Sequence, residues 1–266
     1  LHWGRISKFQ YGVIDTLESL VTLYYFWNGA SGVSEEMTQE NRRKSQAHQR
    51  EMAQFDPQQY PNLFGKYEVT LGDVEFDIGL DLLKQSQYAD TLSAALKALH
   101  VAFSHYVKAA VLMKRFNEDR YFLTLRVCYN RLNTLFDTIS TALTLEQADC
   151  IGILSVVWQG KAPEIEEIYH YLQLRLQPQA HLAEIHQLQA SLTLRLEKGQ
   201  YGVSALLNSC LIGAYGALAE SDIAYEERRI HQLQAQAAYY RNLGDDFQAR
   251  KCLEECRDSI GKLTDP

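Results

Sequence analysis

The sequence predicts an all-α protein, a helical bundle followed by antiparallel helical hairpins in a short array, and three observations carry that reading. Apolar residues recur at steps of three and four along most of the chain, as one face of an amphipathic helix requires. Glycine and proline are sparse, 15 and 5 in 266 residues, as in helices running nearly end to end. A six-residue segment returns at an offset of 45 residues, from His186 to His231, the spacing of a helical repeat. With 46% hydrophobic and 22% charged residues the chain is neither disordered, collagen-like nor a disulfide-stapled miniprotein.

Taken in order, residues 1–86 read as a first helical unit. Phe55 to Asp73 lack helical rhythm: Asp56-Pro57, Tyr60-Pro61, Gly65 and Gly72 suggest an irregular connection, with Tyr67 to Leu71 as a short strand. Phe76, Leu80 and Leu83 then restore the helical stripe. A break near Gln85-Ser86-Gln87 separates this unit from residues 87–266.

In the second part Leu92, Leu96, Leu99, Phe103, Val107, Ala110 and Val111 form one helix face, and Phe122, Leu125, Leu132, Leu135, Phe136 and Ile139 another. Thr144 followed by Gln147 has capping-box spacing ahead of Cys150 to Val157. Pro163 suits a first helical turn, where its missing N–H is no loss, and Leu176-Gln177-Pro178 ends that helix. Ile185-His186-Gln187-Leu188-Gln189-Ala190 returns as Ile230-His231-Gln232-Leu233-Gln234-Ala235. The same offset pairs Gly199 with Gly244, so each copy is a helix, a glycine turn and a second helix. Gly199 to Ala219 is uncharged but holds Gln200, Asn208 and Ser209, which favours a buried helix over a bilayer span. Ser209, Gly213 and Ala217 form a small-residue ridge on it, open to close approach by another helix.

Charge and chemistry exclude several classes. Twenty-six Lys and Arg against 33 Asp and Glu give a net charge of -7, which argues against nucleic-acid binding by this chain alone. The basic run Arg42, Arg43, Lys44 and Arg50 reads as a solvated face. Five scattered cysteines fit buried thiols in a reducing, cytoplasmic setting. Glu167 and His170 have the Glu-x-x-His spacing of di-iron bundles, but Glu227 with His231 is one residue too long for a second motif. Phosphate loops, dinucleotide turns and nucleophile elbows are missing. No catalytic residue, cofactor or metal is therefore expected, and a helical metalloenzyme stands behind the binding readings.

Two segments carry family likenesses. Ala237-Ala238-Tyr239-Tyr240-Arg241-Asn242-Leu243-Gly244, followed by Asp245-Asp246-Phe247-Gln248-Ala249-Arg250, resembles a tetratricopeptide hairpin. The likeness runs from Gln236 to Ile260, and it implies a groove for a protein or peptide partner, with Tyr239, Tyr240, Arg241 and Asn242 as contacts. Residues 12–83 resemble the last helices of the effector-binding domain in the tetracycline-repressor family. Asp56-Pro57-Gln58-Gln59-Tyr60-Pro61-Asn62-Leu63 and Glu75-Phe76-Asp77-Ile78-Gly79-Leu80-Asp81-Leu82-Leu83 carry it. That resemblance implies a small-molecule effector lodged beside Tyr24, Tyr25 and Trp27, and a homodimer through Phe76, Leu80 and Leu83, with DNA-binding helices outside this chain. The expected function is accordingly a non-enzymatic regulator or adaptor working through a helical-repeat surface, with a sensing and dimerising regulator domain as the alternative.

Overall fold

The computed structural model describes residues 50–85, 89–158, 163–242 and 246–264 continuously, with isolated positions between 12 and 48. The helices are α1 (Pro61–Lys84), α2 (Ala89–Phe116), α3 (Glu118–Leu143), α4 (Gln147–Trp158) and α5 (Pro163–Leu176), then α6 (Leu182–Glu197), α7 (Tyr201–Ala219), α8 (Ala224–Asn242) and α9 (Asp246–Thr264). The described residues contain no strand, and the all-α class holds.

Two compact units form, and their division is not the expected one at residue 86. Residues 1–117 and 141–159 make the first, and 118–140 with 160–266 make the second. The expected boundary falls inside the hairpin of α1 and α2, because those helices share one closely packed seam. Gly65, Gly72 and Gly79 lie on one face of α1 at heptad spacing. Met113, Tyr106 and Leu99 run antiparallel to them on α2 at the same spacing. A Cβ at those glycines would lie 2.7 Å from Met113 Cε, 2.6 Å from Tyr106 Cε1 and 2.6 Å from Leu99 Cγ. The glycines let α2 sink against the α1 backbone.

Beside this seam Phe76, Phe103 and Tyr106 meet edge to face, with centroids 6.1 and 5.6 Å apart. The Tyr106 hydroxyl donates to Asp73 Oδ1 at 2.7 Å, and His105 Nδ1 pairs with Glu68 Oε2 at 2.5 Å. Met52, Leu63, Phe64, Tyr67 and Leu112 bury the other end of the hairpin.

The irregular segment is shorter than expected and holds no strand. Turns occupy 53–60, where Asp56 Oδ1 accepts the Gln58 backbone N–H at 2.9 Å, and helix resumes with Pro61 in its first turn. Tyr67 to Leu71 are helical, because Gly65 and Gly72 serve packing rather than turning. Thr144 is likewise no cap: it ends α3 with a left-handed φ of 51°, a conformation costing a β-branched residue roughly 1–2 kcal/mol. The first turn of α4 closes instead on the Glu146 carbonyl, which accepts from Asp149 and Cys150. His100 Nδ1 lies 3.2 Å from the Val157 carbonyl oxygen and ties α4 to α2.

In the second unit the six-residue echo falls on two helices, with Ile185 to Ala190 in α6 and Ile230 to Ala235 in α8. Gly199, at φ 68°, makes the turn between α6 and α7, whereas Gly244 lies outside the described residues. The first helices of the two hairpins touch directly. Gln232 Nε2 donates to Gln189 Oε1 at 3.0 Å, and Arg228 Nη1 lies 3.3 Å from His186 Nε2. Ile212 of α7 packs against a cluster of Ile230 and Leu233 from α8 and Cys256 from α9.

α3 braces this stack. Asp119 Oδ1 accepts the Gly202 N–H at 2.8 Å at the start of α7, and the Asp119 backbone fills the space a Gly202 Cβ would need. Tyr129 Oη lies 2.7 Å from where a Gly213 Cβ would stand, so the small-residue ridge admits close neighbours as its spacing implied. Arg175 of α5 donates to Asn133 at 2.7 Å and Asp137 at 2.6 Å on α3. α7 has the length and apolarity to cross a membrane, yet most of it is buried inside this unit.

Candidate functional site

A cavity of about 240 Å³ opens in the second unit where α6, α7 and α8 meet, with Arg126 of α3 at its edge. The apolar wall comes from Leu192 and Leu196 of α6, Tyr201 and Ala205 of α7, and Ala235 of α8. The helical period explains the grouping: residues three to four apart on each helix point the same way, so each element contributes a short stripe.

The polar side is a ladder of carboxamides. Asn208 Nδ2 donates to the Gln232 backbone carbonyl at 3.0 Å and to Gln236 Oε1 at 3.2 Å. Gln189 Oε1 accepts from Gln232 Nε2 and, at 3.4 Å, from the Tyr215 hydroxyl. Three helices are thus fastened by side chains that both donate and accept. Asn208 is 6% exposed, and its Oδ1 meets no donor among the described residues. Leaving such an acceptor bare in a protein interior costs about 1–3 kcal/mol.

Arg126 supplies the charge. Its guanidinium stands 5.8 Å from the Tyr239 ring centre and 5.1 Å from that of Tyr240, within cation–π reach. Burial raises the Tyr239 phenol above its usual range, and the Arg126 charge works against that rise. The Arg126 Nε and Nη1 atoms are enclosed and have no acceptor among the described residues. No Asp or Glu lines the cavity, and its other basic group is His231.

The structure sorts the sequence-predicted residues. Tyr239 lines the cavity, while Tyr240 is buried with Ala237, Ala249 and Cys252. Arg241 and Asn242, the last residues of α8, are exposed and line none of this cavity. The period explains the split, since four consecutive helical residues point four ways. Tyr24, Tyr25 and Trp27 lie outside the described residues.

Phe76, Leu80 and Leu83 are a correction. All three are buried in the first unit of a single chain, so they have no surface to offer a second copy. The stripe is a core face, covered within its own unit.

Glu167 and His170 face different partners. Glu167 Oε1 accepts the Tyr171 hydroxyl at 2.8 Å, whereas His170 Nε2 and His181 Nδ1 contact separate oxygens of Glu184 at 3.0 and 3.1 Å. Among the described residues no cluster of His, Cys, Asp or Glu has a metal-holding arrangement.

Sequence reasoning missed Arg126, Gln189, Asn208 and Gln232 as a group. The echo around His186 and His231 did mark two of the three helices that meet there. Comparison with models of known families, with curated proteins and with solved structures finds no match to this chain.

Proposed function

We propose that the second unit is a non-enzymatic binding module, the working part of a regulator or adaptor that captures a segment of polypeptide. The observation that carries this reading is the carboxamide ladder beside an apolar wall. Gln189, Asn208, Gln232 and Gln236 pair with one another, and Asn208 keeps an acceptor without a donor, the complement of a peptide N–H. Leu192, Leu196 and Tyr201 offer cover for an apolar side chain. Stacked hairpins suit this work, since each added unit extends one continuous surface. Tyr239, chosen from the tetratricopeptide likeness, belongs to the same surface.

Five buried thiols outside any disulfide fit a reducing compartment, the cytoplasmic setting expected from the sequence. The regulator alternative loses the support of Phe76, Leu80 and Leu83, now placed in the core.

Selection from a displayed peptide library on the full chain tests the proposal. Enriched peptides should bind the purified protein saturably, and Leu196→Asp should weaken them at least about tenfold. Leu196 is 48% exposed, so this charge enters the cavity rim without disturbing the core. Failure to enrich any peptide, or indifference to Leu196→Asp, would refute it.

A further inference from the structure

The cavity between α6, α7 and α8 holds two features that peptide binding alone leaves unexplained. One is a cation short of acceptors: Arg126, part-exposed at the cavity edge, has its Nε and Nη1 buried without an acceptor among the described residues, and no carboxylate lines the wall. The rings of Tyr239 and Tyr240 compensate such a charge only in part, and only from their faces. The other is Asn208 Oδ1, an acceptor deep on the α7 side that lacks a donor. An occupant satisfying both must bring an anion to Arg126 and an N–H to Asn208.

Size narrows the choice. The cavity's volume of about 240 Å³ falls below the ~300–1,000 Å³ of sites for drug-sized ligands. It therefore suits one residue rather than a long segment. The wall of Leu192, Leu196 and Ala205 calls for that residue to be apolar.

We infer that the cavity recognises a terminal carboxylate on an apolar residue whose amide N–H is free to donate: the carboxylate pairs with Arg126, the N–H with Asn208, and the side chain fills the wall. The chemistry is shared by the C-terminus of a polypeptide and by a free N-acylated amino acid. The inference rests on the peptide-binding reading and specifies which part of the peptide enters.

Fluorescein-labelled hexapeptide pools ending in leucine, one with a free carboxylate and one amidated, provide the test by fluorescence anisotropy on the full chain. N-acetyl-leucine serves as competitor. The acid pool should bind about tenfold tighter than the amide pool or better, the worth of one hydrogen-bonded charge. Arg126→Gln should erase that preference and Arg126→Lys should retain part of it, with circular dichroism confirming that both variants are folded. Displacement by N-acetyl-leucine at matching concentration would name the free acid as ligand. Binding of the acid pool without such displacement would name a chain terminus, and either result sustains the inference. Equal affinity for acid and amide, both abolished by Leu196→Asp, would overturn it while leaving peptide binding intact. Equal preference in wild type and Arg126→Gln would also overturn it. Absence of binding by both pools and by N-acetyl-leucine would overturn the inference and the peptide-binding reading together.

Discussion

Substituting Gly72 by alanine probes the seam on which the first unit depends. The added Cβ would lie 2.6 Å from Tyr106 Cε1 and 2.8 Å from its Cδ1. Carbon atoms settle at about 3.5–4.0 Å, so about 1 Å must be found. Tyr106 cannot supply it by swinging aside. Its ring is buried edge-on to Phe103 at 5.6 Å, and its hydroxyl is held by Asp73 at 2.7 Å. The helices must therefore part, and overpacking of this kind costs about 1–3 kcal/mol. Alanine is the better helix former by about 1 kcal/mol, which offsets part of the loss. The net expectation is destabilisation by up to about 2 kcal/mol.

Gly152 and Gly261 serve as controls. They also lie within helices, but nothing stands within 4 Å of a Cβ built on either. Gly152→Ala and Gly261→Ala should therefore stabilise by about 0.5–1 kcal/mol, through helix propensity alone. Urea unfolding followed by far-UV circular dichroism reads all three. With a slope of about 1–3 kcal/mol/M, the Gly72→Ala midpoint should fall, by up to about 2 M, while the controls rise. If Gly72→Ala were as stable as Gly152→Ala, the close-packed seam would be the wrong account of these helices.

Two further expectations concern titrating groups. The Glu184 carboxyl is held below its ordinary value of 4.5, first by its hydrogen bond from His181 and then by the His181 and His170 charges. Its contribution to folding is thus present above that ordinary value and lost as pH falls through the lowered one. Glu184→Gln should flatten the acid limb of stability measured by urea midpoints between neutral pH and about pH 3, and an unchanged limb would remove the contribution. Burial pushes the Cys252 thiol up to about 11, and all five cysteines are buried thiols outside any disulfide. Native protein at about pH 8 should react slowly with a thiol-specific disulfide reagent and release five equivalents only in denaturant; rapid stoichiometric labelling of the folded chain would contradict this.

Local rules account for much of the architecture. The three-and-four spacing of apolar residues, Pro163 and Pro178 at helix boundaries, and the 45-residue echo all correspond to elements that form. The errors share one source, which is a residue type with two uses. Gly65 and Gly72 have the composition of a turn, and sequence alone does not show the tyrosine and methionine that make their missing side chains a packing requirement. Phe76, Leu80 and Leu83 make an apolar stripe that a second copy or the same chain could equally cover, and hydrophobic periodicity carries no label for its partner.

The candidate site was less legible, for a related reason. His186 and His231 marked two of its helices, and Asn208 stood out as a polar residue in an uncharged run. Arg126, however, lies sixty residues before the nearest of them, and nothing in local spacing draws it to the cavity.

Helix content, repeat length and the small-residue ridge of α7 follow from the amino-acid order, because they depend on neighbours within one or two helical turns. Which helix covers which stripe, where the two units divide, and the meeting of Arg126 with Asn208 and Gln232 come from packing across the chain. Those outcomes are set by shape, by the reach of individual side chains and by the need to satisfy buried polar groups, and such terms take values only when distant segments are brought together.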